Sequence, residues 1–259
     1  MDEQPSQEGG SFYERIATFY DTMTGFTDRV RRDEPIFLSL ITDYGIRTAL
    51  DVGAGTGLHS ILLAKLGVAV TAVDVSPAMV DALHRNARMF NVSITALTMR
   101  MDSLLPQMTG SFDGLFCLGN TIPHLQTHEM LRRSLSEFLR VLRPGGTLVL
   151  QLLNFDMLDA GSALPTFSRT EGGVTFERAY ERTATGVRLT VTIRRQGSAE
   201  PQSASINLKA FSSRILMTAL ARTGFRHAAL YGDLARRRFD PAISKDVVIV
   251  AHKSRRSSE

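Results

Sequence analysis

The segment over residues 48–57 constrains this chain most, because it joins a short apolar run to three closely spaced glycines. It reads TALDVGAGTG and continues into a stretch with apolar residues at helical spacing. This order predicts a strand, a tight turn and a helix. Because Gly53, Gly55 and Gly57 carry no β-carbon, a ligand can lie directly on the backbone, where the helix start presents unpaired N–H groups.

Acidic residues accompany this turn on two strands. Asp51 lies in the first strand, and a second apolar run over residues 68–73 ends at Asp74. An acid in the second position is placed to accept hydrogen bonds from both hydroxyls of a ribose. A carboxylate beside the turn repels a pyrophosphate but suits a ligand with an α-ammonium group, which it can pair with directly or through water.

The glycine spacing separates two ligand classes that share these features. Dinucleotide sites use G-x-G-x-x-G, so that the pyrophosphate lies on the helix N-terminus. This chain instead has G-x-G-x-G preceded by Asp51. The pattern resembles the first motif of the class I S-adenosylmethionine-dependent methyltransferases. A strand-turn-helix with purely structural glycines and a nicotinamide oxidoreductase are the alternatives.

The resemblance implies S-adenosylmethionine as the cofactor and a set of residues that hold it. Asp102 and Ser103 follow the third strand, where they meet the exocyclic amine of adenine, while Met79 covers the ring face; as an alternative, Asp102 is only a surface acid. Tyr13 or Tyr20 stacks on or hydrogen-bonds the ligand or the substrate, unless both tyrosines simply pack between the N-terminal helices and the body. The predicted cofactor-binding residues are Tyr20, Asp51, Gly53, Ala54, Gly55, Gly57, Asp74, Val75, Met79, Asp102, Ser103 and Leu118.

Strands and helices alternate along the chain after the glycine turn. Apolar runs over residues 94–99, 112–118 and 147–153 are separated by amphipathic segments, and a Leu-Arg-Pro-Gly-Gly sequence before the last of them is a second resemblance to the same superfamily. This pattern predicts an α/β fold with a Rossmann-like, seven-stranded, mostly parallel sheet and helices on both faces. Ligands in such sheets bind beyond the carboxyl ends of the strands.

The sequence also predicts the division of the chain. We expect a disordered tail at 1–10, an N-terminal helical lid at 11–47, a methyltransferase core at 48–159 and 212–253, and an antiparallel β insertion at 160–211. A capping box of Ser11 and Glu14 marks the first lid helix, which breaks near Gly25, and Pro35 marks a kink or a helix junction in the second. Period-two alternation on both sides of Gly186 predicts a β-hairpin in the insertion, to which residues 205–211 add a third strand.

One octet indicates a subfamily. Residues 118–125, LGNTIPHL, resemble the corresponding segment of glycine and sarcosine N-methyltransferases and their bacterial small-molecule relatives. Asn120 is placed to orient an amine hydrogen, and His124 is a candidate base or substrate contact, with capping of the next helix as the alternative. Leu153 occupies the position where glycine N-methyltransferase has a carboxylate-binding arginine. This departure argues against glycine and favours an amine without a carboxylate, such as an amino sugar.

Composition and charge narrow the function classes further. The net charge of +4 is modest, and the arginine pairs lack interleaved aromatic residues, so nucleic-acid binding is disfavoured. The single Cys117 lies in an apolar run, and the six His residues show no metal-ligand spacing, so no metal is expected. With no long apolar segment and no signal-like N-terminus, we expect a cytoplasmic protein without membrane contact.

These observations predict a methyltransferase (EC 2.1.1.-) that transfers a methyl group from S-adenosylmethionine to a small-molecule acceptor. An amine nitrogen is the expected nucleophile, as the resemblance of residues 118–125 implies, and a neutral amine needs no strong base. O-methylation with His124 as the base and a catalytically silent interaction protein with the same fold are the alternatives. Oligomerisation through the β insertion is a further expectation.

Overall fold

The computed structural model describes residues 5–159, 166–198 and 200–255. Seven helices and eleven strands lie in these ranges, with 3-10 turns at Pro106–Met108 and Ile122–His124. The helices are α1 (Pro5–Thr24), α2 (Phe26–Asp43), α3 (Leu58–Lys65), α4 (Pro77–Met89), α5 (His128–Val141), α6 (Asp156–Asp159) and α7 (Ser213–Thr223). The strands are β1 (Thr48–Val52), β2 (Ala69–Asp74), β3 (Ile94–Thr98), β4 (Phe112–Cys117), β5 (Leu142–Leu153), β6 (Phe167–Glu171), β7 (Val174–Arg182), β8 (Val187–Arg195), β9 (Gln202–Leu208), β10 (Phe225–Tyr231) and β11 (Asp246–Lys253).

The main sheet has seven strands in the order β10-β11-β5-β4-β1-β2-β3. Strands β1 to β5 are parallel, and β11 joins antiparallel between β5 and β10. The predicted fold class is therefore confirmed, including the closing antiparallel pair. The strand order reverses beside β1, between β4 and β2, which is where ligands bind in sheets of this kind.

Burial of β1 on both faces explains its nearly continuous apolar sequence. Ala49, Leu50 and Val52 are all completely buried. Successive side chains point to opposite faces, so Leu50 packs into one core cluster with Phe138, whereas Ala49 packs into a second with Phe37. Helices on both faces thus hold the strand that leads into the glycine turn.

The first helix begins earlier than its sequence predicts. Helix α1 starts at Pro5, and Ser11 lies inside it rather than at its N-cap. Residues 5–10 of the predicted disordered tail are therefore helical, while residues 1–4 lie outside the described residues. Further along α1, Phe12 and Ile16 pack on the second sheet of the molecule, and such tertiary packing outweighs a local capping signal.

The second helix continues through its proline. Gly25, with a φ of 65°, separates α1 from α2, as the sequence predicts. Pro35 lies inside α2 rather than at a helix junction.

The insertion forms a four-stranded antiparallel sheet in the order β6-β7-β8-β9. The predicted hairpin is β7 and β8, with Arg182 paired to Val187, and the third strand is β9, which ends at Leu208. Strand β6 was not predicted, because its sequence FSRTE is short and largely polar. Residues 160–165 and 199 lie outside the described residues, and the division into lid, core and insertion remains a proposal.

One face of this second sheet is apolar and covered by α1. Phe176, Val191 and Ile206 form a buried cluster with Phe12 and Ile16. The other face carries paired hydroxyl side chains, such as Thr190 with Ser205 at 2.9 Å. The N-terminal helix and the insertion therefore share one apolar core, which lies beside the carboxyl ends of the main strands.

The connection from α5 to β5 differs slightly from the prediction. Thr127 caps α5 by accepting a hydrogen bond from the Met130 N–H at 3.1 Å. Strand β5 starts at Leu142 and includes the Arg-Pro-Gly-Gly segment, which the sequence pattern predicts to lie before the strand. A register shift between Phe112 and Gly114 of β4 accommodates these residues.

Candidate functional site

A cavity lies at the carboxyl ends of β1, β2 and β4, and α1 covers it. Strand ends, the helices that follow them and the side chains of α1 and α2 all contribute to its wall. The lining residues that the sequence predicts as site residues are Tyr20, Gly53, Ala54, Gly55, Asp74, Val75, Met79, Asp102, Leu118 and His124. Asp51, Gly57, Ser103 and Asn120 do not line it.

The glycines of the turn serve different purposes. Gly55 lines the cavity with a φ of 56°, and a β-carbon there would point toward the Tyr20 ring, 3.9 Å away. Gly57 is buried away from the cavity, and a β-carbon at this residue would meet the Leu83 side chain at 2.6 Å. Gly55 therefore lies where the predicted ligand contact requires, and that contact stays a prediction, whereas Gly57 is needed for the packing of α3 on α4.

The Asp74 carboxylate is held by the backbone on both oxygens. Oδ2 accepts a hydrogen bond from the Gly55 N–H at 2.8 Å, and Oδ1 accepts one from the Ser76 N–H at 2.9 Å. Burial raises the pKa of Asp74, and these backbone hydrogen bonds oppose that effect. Ser76 also caps α4 through the Met79 N–H, so the strand end and the helix start form one rigid unit.

Asp51 lies beneath the turn rather than in the cavity wall. Only 1% of the residue is exposed, and its Oδ2 accepts a hydrogen bond from Ser60 Oγ at 2.6 Å. Burial raises the pKa of Asp51 to about 7. Of the two predicted contacts with a ligand ammonium, direct pairing does not fit this placement, because strand alternation turns Asp51 toward α3. The contact through water stays a prediction.

Asp102 lines the cavity and forms an ion pair with Arg100. Its two oxygens accept hydrogen bonds from Arg100 Nε and Nη2, each at 2.9 Å. Its side chain is 8% exposed, so it is not the surface acid of the alternative interpretation. Ser103 follows it but lies outside the wall, while Met79 is 1% exposed with its side chain at the cavity.

A hydrogen bond joins α1 to the turn after β4. Tyr13 Oη and His124 Nε2 are 3.0 Å apart, and both residues line the cavity. Burial lowers the pKa of His124 to about 4, so the imidazole is neutral near pH 7. Burial raises the pKa of Tyr13 well above its ordinary value, so Tyr13 keeps its proton. The phenol donates to Nε2 in the Nδ1–H tautomer of the imidazole, and it accepts from Nε2 in the other tautomer. Tyr20 also lines the cavity, on the same helix.

Asn120 has a structural role that the sequence did not predict. It has a φ of 69°, and its Oδ1 accepts a hydrogen bond from the Leu153 N–H at 3.0 Å. The carboxamide therefore ties the end of β4 to the end of β5 and does not point into the cavity. The predicted role of Asn120 in orienting an amine does not fit this geometry.

Several residues that line the cavity are not identified by the sequence patterns. Arg29 of α2 lies beside the cavity, with its Nε 3.3 Å from Asp33 Oδ2 and its Nη2 3.5 Å from His59 Nε2. Thr121 reaches back to the Leu118 carbonyl at 2.8 Å, and Gln126 donates to the His124 carbonyl at 3.2 Å. Arg29 lies on a helix distant in sequence from the strand ends, so no local motif identifies it.

Two other kinds of site were sought in the described parts of the chain. No three His, Cys, Asp or Glu side chains in these ranges lie together in a way that could hold a metal ion. None of the helices in these ranges is long and apolar enough to cross a membrane.

Comparison with known protein families places a domain around this cavity. Residues 49–146 match the family model described as a methyltransferase domain. The match begins in β1 and ends in β5, so it contains the glycine turn, Asp74 and the residues after β4.

Curated relatives match about half of the chain. The glycine/sarcosine N-methyltransferase of Parasynechococcus marenigrum (strain WH8102) is 33% identical over 154 residues, which cover 59% of this chain and 55% of that protein. The ubiquinone biosynthesis O-methyltransferase of Xanthomonas oryzae pv. oryzae (strain PXO99A) is 32% identical over 118 residues, covering 46% and 48%. The chain therefore spans about half the length of the curated relatives it matches.

Among solved structures, an S-adenosylmethionine-dependent methyltransferase from Clostridium acetobutylicum ATCC 824 matches with a TM-score of 0.78. The alignment covers 93% of this chain and 99% of that one, at 12% identity. At this identity the match supports the fold alone, and it agrees with the sheet order described above.

Proposed function

Since this chain carries a class I S-adenosylmethionine-dependent methyltransferase domain, as its glycine turn predicts, we propose that it methylates an amine nitrogen of a small molecule. One observation carries the choice of nitrogen. The only histidine on the described cavity wall after β4, His124, is buried, neutral and already hydrogen-bonded to Tyr13. An imidazole with a pKa of about 4 is a weak base, which suits a nucleophile that attacks as a neutral amine.

The cavity wall fits the family's cofactor by its chemistry. Gly55 leaves room on the backbone, and Asp74 offers carboxylate oxygens for ribose hydroxyls. Met79 offers an apolar surface and Asp102 an acceptor for an adenine amine. Arg29 offers a cation for the carboxylate of the amino-acid part. S-adenosylmethionine supplies the methyl group in an in-line displacement whose driving force resides in the sulfonium.

The chain's own residues bind, orient and exclude water. Helix α1 covers the cavity with Tyr13 and Tyr20, so a bound acceptor is shielded from solvent on that side. In the Nδ1–H tautomer of His124, Tyr13 donates its hydrogen to Nε2, which leaves lone pairs on the phenol oxygen for an amine N–H. In this arrangement Tyr13 and His124 orient the amine and remove no proton from it before methyl transfer.

O-methylation is the second candidate, because an O-methyltransferase of Xanthomonas oryzae is also among the relatives that match this chain. A hydroxyl nucleophile benefits from a base, so this candidate requires His124 to exchange Tyr13 for the substrate hydroxyl. The expected cytoplasmic location and oligomerisation through the insertion remain predictions.

Methyl transfer to a defined panel tests the proposal. The purified chain is incubated with S-adenosylmethionine labelled in the methyl group and with paired acceptors, in which an amine and the matching alcohol share one carbon skeleton. We expect label in amines, inhibited by S-adenosylhomocysteine. Label in the alcohols alone would replace the proposal with its second candidate. A chain that binds no S-adenosylhomocysteine would refute both.

A further inference from the structure

An arginine on the inner face of the insertion sheet has one buried N–H group without a hydrogen-bond partner among the described residues. Arg178 lies on β7, and its Nε is buried without a hydrogen-bond partner in the described parts of the chain. A buried polar group without a partner is costly, and an unpaired charge costs more. Arg178 as a whole keeps intermediate solvent exposure, so a ligand can reach it without unfolding the sheet.

Strand alternation places Arg178 on the face that meets α1. Phe176, two residues before it, is completely buried in the cluster that α1 covers. Tyr180, two residues after it, packs against both that cluster and the main core. Tyr13 and Tyr20 belong to the edge of the same cluster and also line the cavity. Arg178 itself is not among the residues that line the cavity, and it lies on the sheet face that packs against the helix carrying Tyr13 and Tyr20.

The pKa of Tyr20 agrees with this placement. Burial raises that pKa, and the charge of Arg178 opposes the rise more than any other charged group does. The Arg178 guanidinium itself stacks on the Phe167 ring, with its Cζ 4.4 Å from the ring centroid. An aromatic ring on one side and phenols on the other provide no negative charge.

Acidic residues near Arg178 on the insertion sheet form ion pairs with other arginines. Glu171 and Asp28 both pair with Arg169, at 2.8 Å and 3.4 Å. Glu177 pairs with Arg194 at 3.3 Å on the opposite face of the sheet. Within the ranges that the structure describes, no ion pair includes Arg178. Arg178 therefore has no carboxylate paired with it in these ranges. Asp74, whose charge raises the pKa values of Tyr13 and Tyr20 where that of Arg178 lowers them, is held by backbone N–H groups.

We propose that Arg178 binds an anionic group of the acceptor, a carboxylate or a phosphate, so that the substrate is an amine that also carries an acidic group. This inference rests on the proposed function, because it assigns the acceptor end of the same cavity. Arginine suits the role, since its planar guanidinium binds carboxylate and phosphate oxygens in pairs. It also revises the expectation drawn from Leu153, because a cation from the insertion takes the place of one at the end of β5.

A direct test observes the guanidinium itself. The chain is labelled with 15N-arginine, and the Nε–H signal of Arg178 is assigned by its loss in Arg178→Lys. Acetate and inorganic phosphate are then titrated separately, with the Arg194 signal as an internal control on the exposed face. We expect a saturable shift of the Arg178 signal with one anion, and no saturable shift for Arg194. Saturation by acetate indicates a carboxylate acceptor, and saturation by phosphate indicates a phosphorylated one. An Arg178 signal that ignores both anions, or that responds as Arg194 does, would overturn the inference.

Matched acceptors provide the functional readout. Glycine is compared with glycinamide, and glucosamine 6-phosphate with glucosamine. We expect Arg178→Met to raise KM about 10- to 100-fold for the anionic member alone, which is the effect of losing hydrogen bonds to a charged group. Arg194→Met should leave KM unchanged, and Arg178→Lys should restore part of the affinity. Equal losses for the charged and neutral members would reveal a merely structural role.

Titration with S-adenosylhomocysteine separates this inference from the proposed function. Arg178→Met should bind S-adenosylhomocysteine as the unaltered chain does, because the predicted cofactor contacts lie on other elements. If the unaltered chain binds none, the proposed function fails while the anion titration still decides on Arg178.

Discussion

The two halves of the cavity are built by different means. In the half formed by the ends of β1 and β2, which we call the backbone half, main-chain groups hold the site, because the N–H groups of Gly55 and Ser76 donate to Asp74. The half formed by α1 and the insertion is called the side-chain half, and side chains from distant elements meet there, as Tyr13 does with His124. The strand ends of the backbone half lie within residues 49–146, which match the methyltransferase domain, whereas α1 and the insertion lie outside that match. On the proposed function, this difference predicts that cofactor binding and acceptor choice are separable.

The largest expected effect concerns the backbone half. Gly55→Val should abolish cofactor binding, because a branched side chain at a φ of 56° is strained and points toward the cavity. Titration calorimetry with S-adenosylhomocysteine measures the loss. Gly67→Val is the matched control, since Gly67 has a φ of 86° with open space around it. Retained binding in Gly55→Val would move the cofactor away from the glycine turn.

A pH-dependent effect on stability sharpens the assignment of Asp51. Its pKa is raised from 3.8 to about 7 by burial, so the folded state binds a proton that the unfolded state releases. The contribution of Asp51 is complete below the unfolded pKa and is lost as the pH rises through the folded pKa. Relative to Asp51→Asn, the unfolding free energy of the unaltered chain should therefore fall by a few kcal/mol between about pH 5 and about pH 8.

Urea unfolding of both proteins at the two pH values gives this difference. Exposed Asp81 provides the control substitution, Asp81→Asn, which should show no such slope. Bound S-adenosylhomocysteine distinguishes two interpretations of Asp51. A slope that disappears with ligand would restore the pairing with an ammonium group, and a slope that persists would agree with burial beneath the turn.

A smaller loss is expected at the ribose position. Asp74→Ala should weaken S-adenosylhomocysteine binding by about 1–3 kcal/mol, as expected for one or two hydrogen bonds to a charged group. Asp81→Ala on the exposed side of α4 should leave the dissociation constant unchanged. A dissociation constant that Asp74→Ala does not change would place the ribose elsewhere.

The smallest effect concerns the side-chain half. Tyr13→Phe keeps the ring but removes the hydrogen bond to His124. The activation free energy for methyl transfer to an identified amine should therefore rise by about 1 kcal/mol, which lowers the turnover number about fivefold. Affinity for S-adenosylhomocysteine should not change. Tyr231→Phe, on β10 at the far edge of the sheet, is the control. If Tyr13→Phe lowers the affinity for S-adenosylhomocysteine and leaves the turnover number unchanged, the two halves are not separable as described.

Local patterns predicted the backbone half well. The alternation of strands and helices, the glycine turn and the acid at the end of β2 depend on residues close together in sequence, and the structure places Gly55 and Asp74 at one cavity. Asp51 was harder to interpret, because strand alternation turns its carboxyl under the turn and toward Ser60. The pattern identified the residue but not the direction of its side chain.

The side-chain half depends on contacts between distant elements. His124 was named from its octet, yet its partner Tyr13 lies 111 residues away. Asn120 was assigned to the substrate because its position after β4 gave no sign of the hydrogen bond to Leu153. The sequence gives no sign of a role for Arg178. The alternation in β7 does not show which face of the sheet packs on α1, and it does not show that no acidic side chain of the described residues pairs with this arginine.

Calorimetric titration of the unaltered chain and Tyr13→Phe with S-adenosylhomocysteine tests the central claim most directly. The account predicts saturable one-to-one binding to both proteins with the same dissociation constant, because the backbone half is complete without the Tyr13 hydroxyl. No binding to the unaltered chain would contradict the methyltransferase assignment itself. Binding that is lost in Tyr13→Phe would contradict the separation of the two halves.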